Sequence, residues 1–97
     1  MTCQVLLEFR VKEGSIENLR KWMREILPDT RGYDGCISIA LTQNQDSPND
    51  ITVVEQWETR GHYEKYLQWR TDSGVMTDLV DMMDGDPAWR FFDYIGV

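Results

Sequence analysis

In CQVLLEFRV, residues 3–11, the apolar side chains of Cys3, Val5, Leu7, Phe9 and Val11 fall on every second position, with Leu6 added on the opposite side. A period of two puts those five on one face of a β-strand. A strand with a strongly apolar face cannot bury it alone, so the chain must supply neighbouring strands and a covering layer. It supplies both. GCISIALTQ alternates Ile37, Ile39 and Leu41 against Ser38, Ala40 and Thr42, while ITVVEQWE sets Ile51, Val53, Glu55 and Trp57 against Thr52, Val54 and Gln56. The turn formers in NQDSPND predict a hairpin between them. AWRFFDYIGV predicts a final aromatic strand.

The covering layer shows as a change of period. Ile16, Leu19, Trp22, Met23, Ile26 and Leu27 recur at three and four, which predicts a helix capped by Ser15 and closed by Pro28 and Gly32. Thr59 is placed to cap a second helix with Tyr63, Tyr66, Leu67 and Arg70 on one face. TDSG interrupts it, and a further helical piece carries Val75, Met76, Leu79, Val80 and Met83 as far as DGDP. The order β-α-β-β-α-β is the ferredoxin-like unit of the α+β class, a four-stranded antiparallel sheet with its helices on one face. One domain over residues 1–97 is expected. Leu6, Val54, Phe92 and Tyr94 then fall on the uncovered face. A second copy packed through a two-fold axis is the simplest cover, so a homodimer through the sheet face is predicted.

Composition narrows the function classes. Hydrophobic residues make up 41% and charged residues 28%, as in a folded globular chain, and the net charge is −7 with its acids spread along the sequence. Without a clustered basic patch, neither nucleic acid nor an anionic membrane surface is an expected partner. No apolar run approaches the roughly 20 residues of a spanning helix, and MTCQVLLEFR does not read as a signal peptide. Cys3 and Cys36 read as two thiols in a reducing cytoplasm. One histidine and scattered carboxylates suggest no metal site.

Two strings carry a resemblance. TRGYDGC, residues 30–36, resembles the Thr-Arg-x-x-x-Gly-Cys that opens the second strand of antibiotic biosynthesis monooxygenase domains, and VVEQWET, residues 53–59, is similar to their third strand and the start of the following helix. With the element order, the resemblance covers roughly residues 3–95. It implies a dimeric α+β barrel with a pocket between sheet and helices in each subunit. Some members of that family oxidise quinols or polycyclic phenols with O2, without metal or flavin. The resemblance therefore implies no cofactor, and deprotonation of a phenol to an anion that passes an electron to O2. Other branches degrade haem, act on signalling molecules or have no known reaction. The haem-degrading branch uses an Asn, a Trp and a His at places that here hold Leu7, Tyr66 and no histidine. Quinol-oxidising relatives often carry a His one to two turns beyond the position of Leu67, where this chain reads QWRTDSG.

The candidate residues each have two readings. His62 is either a general base, titrating near neutrality, or an exposed histidine bonding back to Thr59. Glu55, between Val53 and Trp57 on a strand, should be buried. It then either pairs with Arg31, Arg70 or Arg90, or stands as a base in the pocket. Trp57 is a flat wall for a planar substrate or a core tryptophan, and Tyr63 and Tyr66 are donors to a substrate oxygen or core packing. Arg31 either orients an anionic substrate or fixes the loop before the second strand. The sequence thus supports a cofactor-independent oxygenase acting on a small planar phenolic or quinol-like molecule. The alternative is a dimeric small-molecule binding or regulatory module using the same pocket without chemistry.

Overall fold

Residues 2–97 are described by a computed structural model with the elements β1 Cys3–Arg10, α1 Ile16–Arg31, β2 Cys36–Gln43, β3 Asp50–Trp57, α2 Arg60–Asp72, α3 Met76–Met82 and β4 Ala88–Asp93. The strands form one antiparallel sheet in the order β2-β3-β1-β4. This is the ferredoxin-like α+β arrangement. The period-two pattern translates directly into burial. Cys3, Val5, Leu7 and Phe9 on β1 face the helices and are buried, as are Ile51, Val53, Glu55 and Trp57 on β3.

The core has two halves. An aliphatic one gathers Leu7, Phe9, Val53 and Ile51 under α1 and α3, with Leu19, Met23, Leu27 and Leu79 from the helices. An aromatic one gathers Trp57, Tyr63 and Tyr66 with Cys3 and Val5 under α2. Each fully buried aliphatic side chain contributes about 1.5–3 kcal/mol. The aromatic rings meet mainly at tilted or edge-on angles, Trp57 to Tyr63 at 5.6 Å and Trp57 to Tyr66 at 5.0 Å between centroids. Such pairs add about 0.5–1.5 kcal/mol beyond area burial.

Several local expectations are corrected. Ser15 occupies the cap position of α1, but its side chain makes no capping bond. Pro28 lies inside α1, and the helix runs on to Arg31 before Gly32 ends it. Ile37 is not on the buried face of β2: the register slips between Cys36 and Ser38, and the bulge leaves Ile37 50% exposed. Val80 lies on the outer side of α3 at 57% exposure, and β4 stops at Asp93, leaving residues 94–97 outside the strand. Thr59 does cap α2, its Oγ1 accepting from the His62 N–H at 3.1 Å.

Candidate functional site

On β3, Val53 belongs to the aliphatic half of the core and Trp57 to the aromatic half, and Glu55 sits between them at their seam. The strand period aims its side chain at the helices, and the register sets it between Val5 on β1 and Ile39 on β2. It is 3% exposed. Its Oε1 accepts a hydrogen bond from the Trp57 indole Nε1–H at 3.1 Å. Burial among apolar neighbours pushes the carboxyl up to about 7, against the smaller opposing effect of the Trp57 bond.

None of the arginines foreseen as partners reaches it, which corrects the ion-pair reading. Arg70 is also buried, but Nε donates to Tyr66 Oη at 3.0 Å, and Nη2 donates to Ile26 O at 2.9 Å and Thr30 Oγ1 at 3.0 Å. Arg90 lies on the other face of the sheet, where it pairs with Glu8. Arg31 is exposed at the end of α1, and its Nη2 donates to Ile39 O at 3.4 Å.

Glu55 faces a cavity of about 40 Å³ between the sheet and the helices. Tyr63, Tyr66, Val53, Ile39 and Trp22 are among its walls. A second chamber of about 170 Å³ adjoins it, with Leu7, Leu67, Met76 and Leu79 common to both, and extends past Met83 to Trp89. An apolar cavity of roughly 150 Å³ accepts a single aromatic ring. The paired chambers therefore have room for a ring in the larger and a reactive end group toward Glu55.

Tyr63 is buried, and its Oη accepts from the Trp89 Nε1–H at 2.8 Å, so its own hydrogen remains to be donated. Burial and the nearby Glu55 charge push its phenol pKa upward, with the Trp89 bond opposing them. The hydroxyl stays protonated. Tyr66 differs. Its hydroxyl is engaged by Thr30 Oγ1 at 2.6 Å as well as by Arg70, so Tyr66 offers the cavity its ring rather than a donor.

Among the sequence-derived candidates, Glu55, Tyr63 and Tyr66 are brought together at this cavity, and Trp57, His62 and Arg31 are not among its walls. Trp57 stands behind Glu55 as its hydrogen-bond donor. His62 is half-buried at the start of α2, with Nδ1 2.6 Å from Thr59 Oγ1 and Nε2 3.9 Å from Asp34 and 3.7 Å from Glu58. His62, Asp34 and Glu58 present possible ligand atoms within 4.8 Å of one another, a grouping that sequence spacing did not foreshadow because the loop carrying Asp34 folds onto α2. The loop packs so closely that a Cβ on Gly35, at φ +91°, would lie 2.5 Å from the imidazole. Trp89 was missed as a site residue, whereas Met76, whose helical spacing reads as core or pocket lining, does line the cavity. The only sequence signal for Trp89 is aromatic character on a strand.

No helix among the described residues is long and apolar enough to cross a membrane. No curated protein matches the sequence. Among solved structures, the chain is similar to a conserved protein from Methanosarcina mazei Go1, with a TM-score of 0.86 at 16% identity over 95% of this chain and 91% of that one. It is also similar to a protein described as an antibiotic biosynthesis monooxygenase, with a TM-score of 0.83 at 17% identity over 96% and 98% of the two chains. A protein from Shewanella oneidensis gives a TM-score of 0.75 at 22% identity over 94% and 88%. At these identities the likenesses establish the fold. The sequence model of the antibiotic biosynthesis monooxygenase family matches residues 3–71, which include β1, β3, Glu55, Tyr63 and Tyr66, and the chain belongs to that family.

Proposed function

We propose that this protein is a cofactor-independent, monooxygenase-like enzyme acting on a small planar phenolic or quinol-type molecule, with Glu55 as the base. The observation that carries this reading is a buried carboxylate facing a largely apolar cavity, with no cation paired to it among the described residues. Core packing gains nothing from such a group, because desolvating a carboxylate opposes folding. A carboxyl held near neutrality can instead take a proton from a phenol at ordinary pH.

The steps follow from charge and proton balance. Glu55 takes the phenolic proton, and Tyr63 donates a hydrogen bond to the oxygen that becomes negative. The phenolate gives one electron to O2, and the resulting phenoxyl and superoxide combine at a ring carbon. The peroxide recovers the proton from Glu55, and loss of water with the ring hydrogen leaves a quinone carbonyl. Tyr66 supplies a flat wall, and Trp57 holds the carboxylate. His62 and Arg31 serve the β2 end of the fold in this reading. The two free thiols, Cys3 and Cys36, support a reducing, cytoplasmic setting. The apolar outer face of the sheet supports a homodimer.

The test is oxygen uptake with hydroquinones, dihydroxynaphthalenes and anthrones, comparing the protein with Glu55→Gln. Uptake above the spontaneous rate that falls at least about 100-fold in the variant is expected, as for loss of a general base. Saturable binding of these compounds without uptake would contradict the enzyme reading in favour of a non-catalytic binding module.

A further inference from the structure

Two hydrogen-bonding groups at this cavity are half-used, and they are complementary. Glu55 accepts from Trp57 through Oε1, and its Oε2 has no hydrogen-bond partner among the described residues. Tyr63 accepts from Trp89, and its hydroxyl hydrogen meets no acceptor among them. Both side chains wall the same chamber, and the remaining walls named above are largely apolar. A free acceptor and a free donor on one small chamber fit a substrate that offers an acidic hydrogen beside an oxygen. A phenol offers both on one atom. A ketone offers them two bonds apart, on the α-carbon and the carbonyl.

We infer that Glu55 and Tyr63 form an enolising pair that removes a proton from the carbon next to the carbonyl of a ring-sized aryl ketone, with no oxidant involved. This inference rests on the reading of the cavity as the site and of Glu55 as its base, and it extends that base from substrates that go on to react with O2, the phenols and anthrones, to a ketone that is enolised and returned without oxidation. Oε2 of Glu55 takes the proton, and the C–H electron pair forms the new C=C bond. The carbonyl π pair moves to oxygen, where the Tyr63 hydroxyl hydrogen-bonds the developing negative charge. Return of a proton to the same carbon regenerates the ketone, so atoms and electrons balance within a closed cycle. The Trp89 N–H bonded to the Tyr63 oxygen polarises that hydroxyl toward donation. The apolar walls keep the carboxylate from spending its basicity on bulk water. The larger chamber, ending at Trp89, takes the ring.

The experiment is hydrogen–deuterium exchange at C1 of 2-tetralone in anaerobic D2O near neutral pD, followed by proton NMR with the whole protein. Loss of the C1 signal should exceed the buffer rate. It should fall at least about 100-fold in Glu55→Gln and about 10- to 100-fold in Tyr63→Phe. Tyr63→Phe keeps the ring packed, so it decides the matter if Glu55→Gln does not fold. Exchange no faster than buffer, or exchange unchanged in the folded variants, overturns the pair. Oxygen uptake measured in parallel separates the two ideas. Exchange without uptake by any phenol sinks the oxygenase reading and leaves the enolising pair standing, whereas uptake without exchange does the reverse.

Discussion

Glu55 destabilises the fold in a pH-dependent way, and the sign of that effect is fixed by the direction of its shift. Folded, its carboxyl holds the proton up to about pH 7, whereas an unfolded carboxyl releases it near 4.5. The native state therefore binds the extra proton between those values, so stability falls as pH rises through that window and levels off above it. The difference amounts to about 3 kcal/mol. Glu55→Gln keeps an acceptor for the Trp57 indole and removes the charge. It should unfold at a higher temperature than the parent at pH 8, with the gap closing toward pH 5. Equal melting temperatures across that range would contradict the buried, unpaired carboxylate. The burial of Glu55 was legible from its place between Val53 and Trp57. That Arg70 does not pair with it was not, because this depends on where Arg70 goes when two helices dock.

That docking sets the scale of the next feature. Arg70 on α2 joins the last turns of α1 through Ile26 O and Thr30 Oγ1, and ties in the Tyr66 hydroxyl on its own helix. Its guanidinium lies 4.4 Å from the Trp69 ring centroid. The planar fork satisfies three oxygens from two nitrogens, and an ammonium cannot reproduce that geometry. Arg70→Lys should lower stability by about 2 kcal/mol, since it leaves a buried acceptor unmet. Urea unfolding would show this as a lower midpoint at unchanged slope, and an unchanged midpoint would contradict the tie. The elements themselves were legible because periods of two and of 3.6 are local properties. Ile37 was misplaced because a bulge arises from pairing with β3, which the alternation within β2 does not record. Pro28 was read as a stop, yet the helix continues for three more residues before Gly32.

At the scale of the molecule, the sheet is covered on one side only. Leu6 and Val54 are half-buried on the other face, Phe92 is 39% exposed, and the Tyr94 hydroxyl reaches Gln4 Oε1 at 2.9 Å across it. Phe92→Asp should convert the proposed dimer to a folded monomer in sedimentation equilibrium, and a monomeric parent would contradict the pairing. The family and fold were readable from two short strings and the element order, whereas the cavity was not, since its walls come from β1, β2, β3 and all three helices. The claim that joins these scales is that Glu55 is a base working in that cavity. Oxygen uptake above the spontaneous rate, measured from pH 5 to 9 with a dihydroxynaphthalene, tests it most directly. The account predicts a rate that rises through about pH 7, then levels, and is lost in Glu55→Gln. A profile without that inflection, or a Glu55→Gln protein as active as its parent, would contradict it.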